Sequence, residues 1–117
     1  MDINNQHYNS DLLRGNTDSL LLYLIDTLEC AYGYQLIKEI RSRSHGFFSF
    51  REGTVYPALR KLENDGFIKG EWQVLPAGQE RRYYKITEKG RKVLKDKMAM
   101  WRSFNTAMNL VLKPHGG

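Results

Sequence analysis

The sequence has few of the residues that form disulfides, metal sites or membrane spans. It contains one cysteine, Cys30, in 117 residues, which excludes an internal disulfide and a multi-cysteine metal site. The apolar neighbours of Cys30 favour a buried thiol over a redox role. No window holds 18 consecutive apolar residues, so no transmembrane helix is predicted. The N-terminal segment is polar and lacks the basic and apolar regions of a signal peptide. We therefore expect a cytoplasmic protein with no membrane contact.

Acidic residues are outnumbered by basic ones, and catalytic motifs are lacking. Asp and Glu number 13 against 18 Lys and Arg, which gives a net charge of +5. Such an excess is typical of nucleic-acid-binding proteins, although an ordinary solvated surface can carry it too. The three histidines, His7, His45 and His115, have no second ligand at metal-binding spacing. Without a Gly-rich phosphate loop or a nucleophile elbow, the sequence predicts neither an enzyme nor a cofactor.

Two helices are predicted in the first third of the chain, because apolar residues recur there every three or four positions. A flexible N-terminal tail covers residues 1–9. The first helix is predicted over about residues 11–29, with Ser10 as its cap. The second is predicted over about residues 34–43, with Tyr34 on its apolar side.

A third helix is predicted from the S-x-x-E pattern of residues 49–52, which fits a capping box that starts at Ser49. Gly66 is expected to end this helix. Pro57 conflicts with a regular helix, because it has no amide hydrogen to donate to the carbonyl of Gly53. The helix therefore either starts later, near Thr54, or bends, and we favour the bend.

A β-hairpin is predicted next. Residues 67–74 are rich in β-branched and aromatic side chains, residues 76–79 form a Pro-Gly turn, and residues 81–87 alternate between two faces. Ile86 marks the buried face, so Tyr84 is expected in the core. Trp72 is also expected to pack in the core of the hairpin.

The last helix is predicted to start at a Thr87 cap and to continue to about Lys113, before Pro114. Its apolar residues repeat every seven positions, with Lys97 as an interruption. This helix is too long for the preceding core to cover, so we expect a second copy of the chain to cover it. The residues predicted at this homodimer interface are Leu94, Trp101, Phe104, Met108 and Val111.

Three helices, a basic hairpin and a long helix are the elements of a winged helix-turn-helix with a dimerisation helix. The predicted fold is mainly α with a small β-hairpin. A DNA-binding domain covers residues 10–87, a C-terminal dimerisation helix covers 88–113, and a tail covers 114–117. Such a domain places its third helix in the major groove of double-stranded DNA and its hairpin beside the backbone. The candidate DNA-binding residues are Tyr34, Ser49, Arg51, Thr54, Tyr56, Arg60, Lys61, Arg81, Arg82 and Lys85.

Five segments of the chain resemble the PadR family of transcriptional regulators. The most specific is EGTVYPALRKLE at residues 52–63. The others are Tyr32-Gly33-Tyr34, Asp65-Gly66-Phe67-Ile68, Arg81-Arg82-Tyr83-Tyr84-Lys85-Ile86-Thr87 and Glu88-Lys89-Gly90. The short C-terminal tail resembles the small subfamily, which has a single long C-terminal helix. The resemblance implies a homodimeric winged helix-turn-helix regulator, which we expect to repress transcription at a palindromic operator.

The resemblance also implies an effector site. Multidrug-sensing members of the small subfamily have a tryptophan at the dimer interface, where flat aromatic compounds stack, and Trp101 lies at the corresponding place. A small planar aromatic ligand is thus a predicted partner, and its candidate contacts are Trp101, Met98, Phe104 and Met108. The methionines around Trp101 leave open whether an aromatic slot forms or is filled. Two alternatives also stay open, namely a DNA-binding regulator without a ligand and a winged-helix module that binds protein.

Overall fold

A three-helix unit, a small sheet and a long terminal helix make up the computed structural model, which describes residues 16–114. The helices are α1 (Thr17–Leu28), α2 (Gly33–Arg43), α3 (Glu52–Asn64) and α4 (Glu88–Val111), and the strands are β1 (Ala31–Tyr32), β2 (Ile68–Val74) and β3 (Glu80–Ile86). This mainly helical winged-helix architecture confirms the predicted fold class. The predicted Ser10 cap and the 1–9 tail lie outside the described residues.

The core lies where α1, α2 and α3 pack against the inner face of the sheet. Leu21 and Ile25 of α1, Leu36 of α2 and Leu59 of α3 are fully buried. Their helical spacing explains why the sequence predicted these helices. Tyr34 does not join this core as its helical position suggested, because its side chain is 51% exposed. Cys30 is only half-buried, so the prediction of a buried thiol is only partly fulfilled.

The sheet has three antiparallel strands in the order β1-β3-β2, rather than the predicted two. Ala31 pairs with Tyr84, and Ile68 pairs with Ile86. The sequence analysis missed β1 because a strand of two residues has no alternation to detect. Tyr84 is buried as predicted, since its side chain shares the inner face of the sheet with Ala31.

Helix α3 begins at Glu52, so the predicted capping box at Ser49 is wrong. Arg51 is the N-cap residue, and no side chain caps the helix. The carbonyl of Arg51 instead accepts hydrogen bonds from the backbone N–H groups of Thr54 and Val55, each at 3.0 Å. Phe50 explains the later start, because its ring is buried in the core and holds the preceding segment outside the helix. Pro57 lies inside α3.

Trp72 lies outside the core, contrary to prediction. Its indole is 63% exposed, because its partner in the register is Arg82, two positions beyond Tyr84 toward the hairpin turn. At this level the sheet meets α3 through the Arg82–Glu63 ion pair rather than through apolar side chains, so the indole has no core to enter. We call this hairpin the wing.

Helix α4 starts at the predicted cap, where the Thr87 hydroxyl accepts a hydrogen bond from the Gly90 N–H at 3.0 Å. The same hydroxyl donates to the carbonyl of Gly66 at 2.6 Å. The helix ends at Val111, two residues before the predicted end. Every residue from 99 to 114 is exposed, and the longest dimension of the molecule is 61 Å. Among the helices of residues 16–114, none combines the length and the hydropathy that a transmembrane segment requires.

Candidate nucleic-acid interface

Helix α3 separates its buried and exposed residues in the manner of a recognition helix. Val55, Leu59 and Leu62 face the core. The opposite side is exposed and carries the predicted contacts Thr54, Tyr56, Arg60 and Lys61. The arrangement presents two cations, a hydroxyl and a phenol on one accessible surface. These are groups that donate to phosphate oxygens and base edges.

Tyr56 is held against the start of α2. A Cβ atom added at Gly33 would lie 2.5 Å from the ring atom Cε1 of Tyr56, so the phenol occupies the space that a side chain at position 33 would need. Burial is the main reason that the pKa of Tyr56 is raised, followed by the charge of Glu52, while a hydrogen bond with the Tyr34 backbone opposes the shift. The hydroxyl therefore stays protonated near neutral pH and is able to donate.

Arg82 is joined to α3 by a carboxylate. Its Nη2 and Nε atoms donate to Glu63, and the Nε–Oε1 distance is 3.4 Å. The hydrogen bonds from Arg82 to Glu63 are the main reason that the pKa of Arg82 is raised. The Gly70 N–H of β2 also donates to Glu63, at 3.2 Å. The Glu63 carboxylate thus fixes both strands of the wing to the recognition helix. We call Glu63, Gly70 and Arg82 the wing clamp.

Arg81 points to the opposite face of the wing from Arg82. Its guanidinium lies 4.2 Å from the ring centroid of Tyr32, which in turn contacts Tyr83 edge-on with centroids 5.3 Å apart. Within residues 16–114 no carboxylate pairs with Arg81. Arg82 also lies near aromatic rings, 5.5 Å from that of Trp72 and 5.9 Å from that of Tyr84. The two neighbouring arginines therefore differ in their carboxylate partner, which Arg82 has in Glu63.

The other predicted DNA contacts lie at the edges of this surface. Ser49 and Arg51 are exposed just before α3, Tyr34 is exposed in the first turn of α2, and Lys85 is exposed on β3. The structure thus leaves all ten predicted side chains at least partly accessible. The sequence analysis missed Glu63 and Tyr32 as partners of the arginines. Glu63 lies 19 residues before Arg82, so neither has a local sequence signal.

The residues predicted at the dimer interface and at the effector site lie on helix α4. Leu94 is buried in the core of its own chain and Met98 packs partly against that core. Beyond them Trp101 is 53% exposed and Phe104 63% exposed, and Met108 and Val111 are also exposed. The apolar stripe without a covering element therefore begins after Met98. Among residues 16–114 no cluster of metal-ligating side chains occurs.

Comparison with known proteins places these features in one family. The model of the transcriptional regulator PadR-like family matches residues 21–96. An uncharacterised protein of Lysinibacillus sphaericus is 31% identical over 104 residues, which cover 89% of this chain and 94% of that protein. A transcriptional regulator structure from Clostridium thermocellum is 32% identical, with a TM-score of 0.79, and the alignment covers 88% of this chain and 99% of that one.

A Bacillus subtilis relative has been seen with DNA. The negative transcriptional regulator PadR of that organism is 28% identical over 64 residues, which cover 55% of this chain and 35% of that protein. The crystal structure of Bacillus subtilis PadR in complex with operator DNA shares the fold, with a TM-score of 0.65 at 24% identity, over 70% of this chain and 46% of that one. The family consists of transcriptional regulators, which confirms that the chain is not an enzyme. The match over most of the chain shows that this protein belongs to the PadR-like transcriptional regulator family.

Proposed function

We propose that this protein is a repressor that binds a palindromic operator in double-stranded DNA as a homodimer. The observation that carries the proposal is the exposed polar face of α3, which stands beside a basic wing fixed to it by the wing clamp. The operator complex of Bacillus subtilis PadR supports a DNA-binding role. Since operators lie on chromosomal DNA, the proposal assigns the protein to the cytoplasm.

In the proposed complex α3 enters the major groove. Thr54, Arg60 and Lys61 contact base edges or phosphates, and Tyr56 donates its hydroxyl to a phosphate oxygen. Arg51 and Ser49 reach the backbone at the start of the helix, with Tyr34 beside them. On the wing, Arg81 and Lys85 neutralise phosphates. Arg82 sets the angle of the wing through Glu63, because its charge is already shared with that carboxylate.

Repression is the mode of regulation that the name of one relative favours. The Bacillus subtilis relative is named as a negative transcriptional regulator. Occupation of a promoter by the dimer is then enough to block transcription sterically.

The homodimer is supported by the apolar stripe of α4. Trp101, Phe104, Met108 and Val111 recur at steps of three and four residues over about 15 Å of helix, and within residues 16–114 no other element covers them. A second α4 packed along this stripe buries the four side chains and pairs two recognition helices by a two-fold axis. Leu94, which was also predicted at the interface, is buried in the core of its own chain and would support the start of α4 rather than contact the second copy.

The same interface suits a planar aromatic effector. Trp101 and its symmetry mate would face each other across the axis and offer two indole faces for stacking. Met98, Phe104 and Met108 border this slot, and methionine side chains adapt to ligands of several shapes. A ligand held there would change the spacing of the two recognition helices and release the DNA.

The direct test is binding to a 40-base-pair duplex taken from the region upstream of the protein's own gene. Fluorescence anisotropy should give an affinity at least about a thousandfold higher than for a scrambled duplex of the same composition, as for other specific DNA-binding proteins. Equal, weak binding to both duplexes would favour a protein-interaction module. Specific binding that no planar aromatic compound weakens would favour a regulator without a ligand.

A further inference from the structure

The start of α4 holds the chain segment that leaves the recognition helix α3. Three consecutive carbonyl groups follow α3, and each accepts a hydrogen bond from Thr87 or Lys89. The carbonyl of Asp65 accepts from the Lys89 ammonium at 2.9 Å, and that of Gly66 accepts from the Thr87 hydroxyl at 2.6 Å. The carbonyl of Phe67 accepts from the Thr87 N–H at 3.0 Å. We call these five residues the α3–α4 junction.

On the α3 side, the junction is a tight turn. Gly66 has a φ of 81°, a conformation that favours glycine, and its N–H donates to the carbonyl of Glu63 at 3.0 Å. The Phe67 N–H donates to the carbonyl of Leu62, also at 3.0 Å. This pair of hydrogen bonds is the Schellman motif that closes a helix. The carbonyl groups of the junction are therefore fixed relative to α3.

On the α4 side, the junction is held by charge and by burial. The Lys89 ammonium lies 5.2 Å from the ring centroid of Phe67, at the C-terminal end of α3, where the helix dipole favours a cation. Gly90 and Leu94, in the next turns of α4, are buried, which fixes the direction in which α4 leaves the domain. A change in that direction is therefore transmitted to the end of α3.

A small rotation at the junction produces a large displacement at the apolar stripe of α4. Phe104, in the middle of that stripe, lies about 24 Å along the helix from Glu88. A rotation of about 10° at the junction would move Phe104 by about 4 Å relative to α3, which exceeds the rise of about 3.4 Å for one base pair. In the proposed dimer, the angle between α3 and α4 thus controls the distance between the two recognition helices.

We infer that Thr87 and Lys89 are positioning residues that set the spacing of the two operator half-sites. Neither side chain contacts DNA in this role. The Thr87 hydroxyl and the Lys89 ammonium fix the C-terminal turn of α3 on α4, and α4 relates the two copies by the dimer axis. The inference rests on the proposed DNA-binding homodimer, and it concerns how far apart the half-sites lie rather than how each one is read.

Two substitutions at position 87 separate the junction from the cap of α4. Thr87→Ser keeps a hydroxyl, which accepts from the Gly90 N–H and donates to the carbonyl of Gly66. Thr87→Asp keeps an acceptor for the cap, but its carboxylate has no proton to donate to that carbonyl and is repelled by it. Lys89→Met removes the ammonium and keeps a long side chain. Lys92→Met, at an exposed position of the same helix, is the matched control.

The measured quantity is the ratio of the affinities for two duplexes. One is the 40-base-pair upstream duplex, and the other has one base pair inserted midway between its half-sites, which shifts one half-site by about 3.4 Å and rotates it by about 35°. The wild type should prefer the first duplex about 100-fold, as expected when one or two base contacts are lost. Thr87→Asp/Lys89→Met should prefer it about 10-fold or less, whereas Thr87→Ser and Lys92→Met should keep the wild-type ratio.

A general loss of stability would lower the affinity for both duplexes and leave their ratio unchanged. An unchanged ratio in Thr87→Asp/Lys89→Met that sediments as a folded dimer would therefore overturn the inference, as would equal binding of both duplexes by the wild type. If the double variant does not fold, Lys89→Met alone must lower the ratio.

The salt dependence of binding checks that Lys89 acts through α3. The slope of log K against log salt should be the same for Lys89→Met and Lys92→Met. A slope less steep by about 0.9 in Lys89→Met alone would make Lys89 a phosphate contact and overturn the inference. A wild type that does not distinguish the upstream duplex from the scrambled one would contradict the proposed function instead.

Discussion

At the scale of single residues, glycines decide how closely the elements approach each other. A Cβ atom at Gly90 would lie 2.0 Å from the carbonyl oxygen of Phe67, an atom of the backbone that cannot rotate away. Gly90 also donates its N–H to the cap residue Thr87. The first turn of α4 therefore packs directly against the backbone of Phe67, the residue that precedes β2. Gly53 differs, since nothing lies within 4 Å of its added Cβ.

Gly90→Ala should destabilise the fold by about 2–4 kcal/mol, in the range of substitutions that force backbone shifts. The matched control is Gly53→Ala in α3, which should be neutral or stabilising by up to about 1 kcal/mol because alanine favours the helix. Urea unfolding followed by circular dichroism measures both free energies. Equal stabilities for the two variants would mean that α4 does not contact Phe67 in solution.

At the scale of secondary-structure elements, the wing clamp couples the hairpin to the recognition helix. Glu63 and Arg82 are each about a quarter exposed, so water screens their attraction only partly. Because Arg82 already has a carboxylate partner, its main effect on DNA binding should be on the angle of the wing. Arg81, on the other face, is free to neutralise a phosphate.

Arg82→Ala and Arg81→Ala should therefore weaken DNA binding in different ways. Arg81→Ala should reduce the slope of log K against log salt by about 0.9, as expected for one lost phosphate contact. Arg82→Ala should lower the affinity for the upstream duplex with a slope change below about 0.3, and Glu63→Gln should reproduce this pattern. Anisotropy titrations from 50 to 300 mM salt measure the slopes. Equal loss of slope in both arginine variants would assign Arg82 to the phosphate backbone.

The elements also show which features could be predicted from the sequence. The helices were predictable because burial repeats with the helical period, as it does for Val55, Leu59 and Leu62. The start of α3 was not predictable, because the burial of Phe50 outweighs the local capping pattern that begins at Ser49. The exposure of Trp72 depends on which side chains of α3 the sheet meets at that level, and the Glu63–Arg82 pair depends on the tertiary fold. The spacing of residues along the sequence gives no information about either feature.

At the scale of the whole molecule, the projecting part of α4 carries the proposed dimer interface. Residues 99–111 form about 20 Å of exposed helix, with Trp101 and Phe104 in its apolar stripe. In a monomer this stripe would be an exposed apolar patch of the kind that marks a binding surface. The proposed dimer uses the stripe both for its own stability and for the recognition of a planar ligand.

Trp101→Ala separates these two roles. The variant should remain a dimer, because Phe104, Met108 and Val111 still pack across the axis, but it should lose binding of planar aromatic dyes. Wild-type tryptophan fluorescence should be quenched by micromolar dye, whereas the remaining Trp72 signal of the variant should respond much less. Sedimentation velocity provides the control for assembly. A monomeric variant would make Trp101 a packing residue, and undiminished quenching in a dimeric variant would place the ligand elsewhere.

The central claim is that two copies of this chain bind one operator. Size-exclusion chromatography with multi-angle light scattering on the complex with the 40-base-pair upstream duplex tests it most directly. The account predicts a complex that contains the duplex and two chains of 13.7 kDa each, and no stable complex with the scrambled duplex. A complex that contains a single chain, or one that forms equally with the scrambled duplex, would contradict it.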